Sequence, residues 1–222
     1  MKIKTLELFT PNLIQQTKFY SESLDLPILQ KTETSVDFQI GNSMLKLISR
    51  ATFTPYHYAI NIPANQEKEA LEWLMARVEI IKHEDALIQY FDFWNAYAIY
   101  FYDNDKNIVE LIARKNLDNS SQLPFDKNAL LEISEIGIPT FDISEEYKIL
   151  NEVTGIPIHS GSMERFCAIG DDNGLFIVIN KELKKEWFPT KDKAFSSDFR
   201  ISFVEKGNEF ILVYRDGKLT LV

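Results

Sequence analysis

The sequence predicts an α+β protein assembled from tandem β-α-β-β-β modules. Three observations carry this expectation. Similar hairpins recur along the chain (IGNSMLKLI, YDNDKNIVELI, GDDNGLFIVI). Each is preceded, at comparable distance, by a related first strand (TLELFT, HYAINI, EIGIPT). Between first strand and hairpin the hydrophobic period changes from two to three or four residues, the mark of one amphipathic helix per module.

In the first module, Ile3 to Phe9 alternates apolar and polar residues like a half-buried strand. Thr10 offers a helix N-cap and Pro11 suits the first helical position. Leu13, Thr17, Tyr20 and Leu24 then fall on one helical face. Strands are expected over Ile28 to Thr32, Val36 to Ile40 and Met44 to Ile48, the last two joined at Gly41-Asn42. The second module has its strand at Tyr56 to Ile62 and a helix from an Asn65 cap through about Val78. Three strands follow, the last folding at the turn-forming run Asp103 to Asn107. The third module begins at Leu131, with a helix capped by Ser144 and closed by Gly155, then strands Arg165 to Ile169 and Leu175 to Ile179. Phe199 to Val204, Glu209 to Tyr214 and Leu219 to Val222 read as strands without a helix, a truncated fourth module. The polar run Asn116 to Pro124 reads as a linker between two parts, 1-115 and 129-222.

A chain of 222 residues with 45% hydrophobic content can build a sizeable core without staples. Its single cysteine, Cys167, excludes an internal disulfide and fits a reducing, cytoplasmic compartment. The N-terminus lacks the apolar core of a signal peptide. A net charge of −9 argues against nucleic acid as a partner, and no apolar stretch is long enough to span a membrane. The densest cationic stretch, Lys181 to Lys193, is diluted by Glu182, Glu186 and Asp192 and reads as solvated surface.

The modules, the Phe19-Tyr20 pair followed by Leu24-Asp25-Leu26, the strand His57 to Ile62, and the run Tyr102 to Ile112 together resemble the vicinal oxygen chelate superfamily of glyoxalases, extradiol dioxygenases and bleomycin- or fosfomycin-resistance proteins. Lys106 stands where the family's turn usually has glycine. The resemblance implies that two modules pair around a cleft and that first and last strands supply ligands to a divalent metal ion (Zn, Fe, Mn or Ni). The first two modules, 1-115, are expected to be the pair around that cleft, so the four ligand places are Thr5, Lys46, His57 and Glu110, of which only His57 and Glu110 suit a metal. The equivalent places in the third module are Glu135 and Ile177, which predicts no second metal there. The implied activity is that of a glyoxalase-like lyase or isomerase acting on a small oxygen-bearing substrate chelated to the metal. Ring cleavage is disfavoured because Thr5 occupies the first histidine place. The alternative is a non-catalytic binder that sequesters a small molecule, and a homodimer is compatible with either.

The residues themselves can be weighed separately. Glu110 lies in the apolar run Ile108 to Ile112, where a buried carboxylate needs a partner, a proton or a cation. His57 has Ala59 and Asn61 as same-face neighbours, small and polar enough for a cleft wall. Glu7 shares a sheet face with Thr5 and is the candidate third ligand, either Glu7 or Glu110 is the candidate proton-moving carboxylate, and Lys46 could instead neutralise Glu7 or Glu110 in a metal-free ion pair. The hydroxyls of Tyr100 and Tyr102 could orient a substrate oxygen or relay a proton, or the rings could simply pack the sheet, and Phe91, Phe93, Trp94 and Asn95 are a candidate pocket wall. His83 and His159 match no ligand place, and Cys167 reads as a buried, inert thiol.

Overall fold

A computed structural model describes residues 1–222 and contains all four units. The first comprises β1 (Lys2–Thr10), α1 (Leu13–Lys18), β2 (Ile28–Lys31), β3 (Ser35–Ile40) and β4 (Ser43–Ser49). The second comprises β5 (His57–Ile62), α2 (Glu67–Met75), β6 (Ile80–Ile81), β7 (Gln89–Phe91), β8 (Ala96–Tyr102) and β9 (Ile108–Arg114). The third comprises β10 (Glu132–Thr140), α3 (Ile143–Thr154), β11 (Ile158–Gly161), β12 (Phe166–Asp171) and β13 (Gly174–Asn180). The fourth is β14 (Phe199–Glu205), β15 (Asn208–Arg215) and β16 (Lys218–Leu221).

The units pair in a different order from the one expected. One sheet runs β16-β15-β14-β1-β4-β3-β2 and joins the first unit to the truncated fourth. The other runs β11-β12-β13-β10-β5-β9-β8-β6, with β7 also on β8, and joins the second unit to the third. The first two units therefore share no sheet, and 1-115 is not a separate body, because β5 and β10 pair antiparallel across the expected linker. Each module's first strand exposes one unpaired edge, and backbone hydrogen bonding is equally satisfied by any other first strand. The linker supports this arrangement. Asn119 accepts from the Ala64 amide at 2.9 Å, and Gln66 donates to the Leu123 carbonyl at 2.7 Å.

Helix starts also shift by a residue or two. Thr10 does not cap α1. Asn12 holds the N-cap position, while the Thr10 hydroxyl accepts from the Asn12 amide at 3.0 Å and donates to Asp105 at 2.5 Å. Gln66 rather than Asn65 precedes α2. Asp142 rather than Ser144 caps α3, its carboxylate accepting from the amides of Ser144 and Glu145. Gly155 closes α3 in the left-handed region, φ 64°, as expected.

Helix α1 continues through a π-helical turn, Phe19–Ser23, which carries Tyr20 into the core. There the Tyr20 hydroxyl donates to Asp103 at 2.7 Å and Gln16 donates to the same carboxylate at 2.9 Å. The Asn107 amide and side chain add two further donations to Asp103. This cluster ties the first unit's helix to the second unit's turn.

The large core lies between the sheets. It joins Leu6, Leu8, Leu45 and Phe203 of one sheet to Tyr58, Ile60, Val109 and Phe176 of the other. The opposite face of the nine-stranded sheet carries a smaller cluster whose floor is Ala59, Ala96, Ala98 and Ala168. Four small side chains on a curved sheet leave room above them. His57, Glu110 and Glu135 stand on this face.

Candidate metal centre

Three adjacent strands build the site. In the register of the nine-stranded sheet, Glu135 of β10 and Glu110 of β9 flank Ala59 of β5 on either side. His57 lies two residues before Ala59 and so projects from the same face. The alanine methyl leaves the two carboxylates free to lean towards each other. One donor atom from each of His57, Glu110 and Glu135 lies within 4.8 Å of the others. All three residues are buried.

His57 is held as a ligand should be. Its Nδ1 lies 3.2 Å from the Ile108 carbonyl, so the proton on Nδ1 is donated there and Nε2 is left unprotonated. Nε2 lies 3.6 Å from Glu110. Burial first, and the nearby Lys184 charge to a lesser extent, lower the imidazole pKa to about 4, which keeps it neutral at physiological pH. The ring of Trp187 packs over it at 4.9 Å between centroids.

The two glutamates are not alike. Burial and then the charge of Glu135 raise Glu110 well above the ordinary carboxylate range, against smaller opposing effects of Arg114 and the Tyr100 hydroxyl. Glu135 is raised by burial too, but Arg114 pairs with it directly and opposes the rise. Arg114 is fully buried, and its Nη1 has no hydrogen-bond partner, with Asp172 3.6 Å away. One guanidinium thus faces two buried carboxylates, leaving a negative charge that only a proton or a cation can offset. A neutral imidazole nitrogen and two carboxylates suit a divalent ion, since catalytic sites commonly use three protein ligands. The residues present fit a metal.

The remaining sequence candidates fall elsewhere. Glu7 is on β1 in the other sheet, in register with Lys46 and Arg200, with Arg200 Nε 3.8 Å from its carboxylate. It is not part of the cluster. Lys46 pairs with Asp37 at 3.5 Å rather than with either candidate glutamate. Glu135, expected to lie outside any metal site, is one of the three residues of this cluster. Ile177 occupies the fourth place as expected from the sequence, and presents an apolar side chain to the cavity. Cys167 is buried, with its thiol pKa raised by burial. His159 lies 3.9 Å from Asp172, away from the cluster.

Above the floor opens a cavity of about 620 Å³ with walls dominated by aromatic rings. Phe91, Phe93 and Trp94 line it, as the sequence suggested, and so does Tyr100, whereas Asn95 and Tyr102 are not among its lining residues. Trp187 and Phe188 also line it, although neither is among the residues expected there. They sit in the stretch read as solvated surface, which instead crosses the cleft between β13 and β14 and is pinned by Tyr102 donating to Asp192 at 2.6 Å. The signal was present in the Trp-Phe-Pro triplet, whose apolar content is out of place on a charged surface.

No protein-family model matches the chain. No curated protein matches it either. Among solved structures, a "putative dioxygenase" from Bacillus subtilis aligns over 96% of this chain and 84% of its own, with a TM-score of 0.61 and 13% identity. A glyoxalase/bleomycin resistance protein/dioxygenase from Nocardioides aligns over 55% of this chain and 89% of its own, at 21% identity and a TM-score of 0.43. A lactoylglutathione lyase from Agrobacterium tumefaciens covers 49% and 90%, at 18% identity and a TM-score of 0.42. At 13% identity the likeness to the first of these speaks for architecture alone, and its near-complete alignment extends over both sheets. The chain has the fold of the vicinal oxygen chelate superfamily.

Proposed function

We propose that this protein is a metal-dependent enzyme of glyoxalase or dioxygenase type, acting on a small oxygen-bearing organic substrate. The observation that carries the reading is the convergence of His57, Glu110 and Glu135 at the bottom of an aromatic cavity. These three residues would hold a divalent ion. Such an ion supplies Lewis acidity, polarising substrate oxygens and stabilising the negative charge that develops on them.

The chain's own residues account for the rest. Glu110, with its raised pKa and Tyr100 beside it, is the group best placed to hold or pass a proton within the site. Trp187 and Phe188 line the cavity with apolar rings, which would limit the access of water to the cluster. Ring cleavage by iron ordinarily rests on two histidines and one carboxylate. This cluster has one histidine and two carboxylates, which favours proton transfer, as in a lyase or isomerase, over oxygen chemistry.

The direct test is metal analysis of freshly purified protein, followed by turnover assays on a 1,2-dicarbonyl adduct and a catechol. Stoichiometric transition metal with turnover of either supports the reading. A second reading, a non-catalytic binder without metal, is favoured by one observation, the Arg114 contact that already engages Glu135. Metal-free protein without turnover that binds an apolar ligand would establish it instead.

A further inference from the structure

We infer that the cavity takes an anionic ligand with a flat apolar body, and that Lys184 is the residue that reads the anion. The inference rests on the cavity being a substrate site but not on the presence of metal. Lys184 lines the same cavity as the three candidate ligands. Its ammonium lies 5.4 Å from the ring centroid of Phe166 and 5.9 Å from that of Trp187, two walls of the pocket. It forms no ion pair, and no side chain accepts a hydrogen bond from it. The cationic side chains that do pair, such as Arg50, Arg114 and Lys115, have carboxylates within 4.0 Å.

A half-buried ammonium without a carboxylate is costly, and most such groups are paired. The one charged group whose field acts on it is another cation, Arg165. The only carboxylate of the lining besides the two glutamates of the floor is Asp92, which is exposed at the rim and screened by water. Cation–π contact with two rings offsets part of the burial cost but leaves all three N–H donors unused. An anionic oxygen entering between the rings would take those donors, and the ring walls would sandwich a planar body. A volume of about 620 Å³ is ample for a substituted ring system. The shared chemistry is a carboxylate or a phosphate on an aromatic or similarly flat frame.

The experiment is calorimetric titration of chelator-treated, full-length protein with three probes on one ring system, 2-naphthoate, 2-naphthyl phosphate and neutral 2-naphthamide. At least one anion should bind ten times more tightly than the amide or better. Lys184→Met should reduce that anion to the level of the amide while changing amide affinity less than twofold, and Lys184→Arg should retain the preference. The tighter of the two anions identifies the group. Equal binding of all three probes, failure of both anions to bind at millimolar concentration, or a preference that survives Lys184→Met would overturn the inference. Because the protein is metal-free, a charge preference stands even where metal analysis defeats the enzymatic reading, so the two failures are distinguishable.

Discussion

The Ile108 carbonyl lies 3.2 Å from His57 Nδ1, two residues before Glu110 on the same strand. Strand β9 therefore orients one candidate ligand through its backbone and contributes another through a side chain. The parallel pairing of β5 with β9 sets both at once. This coupling makes the cluster sensitive to single substitutions in predictable ways.

His57→Ala, Glu110→Gln and Glu135→Gln should each weaken binding of a divalent transition metal by more than the 10–100-fold typical of losing an outer-shell partner. Glu7→Gln should leave it unchanged, because that carboxylate lies beside Arg200 in the other sheet. Calorimetric metal titrations, with circular dichroism to confirm folding, check this. A large loss in Glu7→Gln would overturn the assignment.

The metal-free protein should carry two opposing pH slopes. Burial holds His57 near 4 instead of 6.5, so the folded chain binds fewer protons than the unfolded one between those values. Stability from this group is present above pH 6.5 and is lost as pH falls to 4, by up to about 3 kcal/mol. Glu110 acts the other way, because its pKa is raised above 4.5 in the folded state. Its contribution is lost as pH rises through and beyond the carboxylate range. Urea midpoints across pH for wild type, His57→Gln and Glu110→Gln should show the acid-side slope flattened in the first variant and the opposite slope flattened in the second.

Arg114→Met should destabilise the metal-free protein by about 3–5 kcal/mol, the cost of leaving a buried carboxylate unpaired. Saturating divalent metal should restore more stability to this variant than to wild type, since the ion then neutralises Glu135 alone. Thermal melts with and without metal measure the difference, and equal shifts in both proteins would contradict it.

Gly137 lies under Trp187, and a Cβ added there would come within 2.6 Å of the indole ring. Gly137→Ala should therefore push Trp187 off His57 and open the mouth, weakening ligand binding about tenfold or more while costing about 1–3 kcal/mol of stability. Tryptophan fluorescence should shift to the red as the indole meets water. An unshifted spectrum with wild-type binding would show that the ring is not locked in place.

Much of this architecture was legible in the sequence because repetition is a local property. The hairpins ending in Ile48, Ile112 and Ile179 each announce their module through short-range alternation and turn residues. Position by position, the first strands even marked Glu135 as the third unit's counterpart of His57. Which module sits beside which is different. It depends on contacts between strands far apart in the chain, and the edges of β1, β5, β10 and β14 present similar apolar and polar rows. Pairing β5 with β10 instead of β1 puts Glu135, and not Glu7, beside His57 and Glu110. The charged stretch around Trp187 misled for a related reason, since its role is defined by the cleft it covers and not by its own composition.

The nested pairing of units also dictates an order of assembly. During synthesis β1 emerges first, yet one of its edges is completed only by β14, where Glu7 meets Arg200 near the far end of the chain. The nine-stranded sheet, whose strands are all made by Asn180, can close while that edge is still bare. Such long-range closure is slow, and an open edge invites pairing with other chains. The floor of the cavity is thus finished before the half of the molecule that supports it from behind. A ribosome stalled after β13 would hold a completed cluster of His57, Glu110 and Glu135 on a chain whose first strand still lacked its last neighbour.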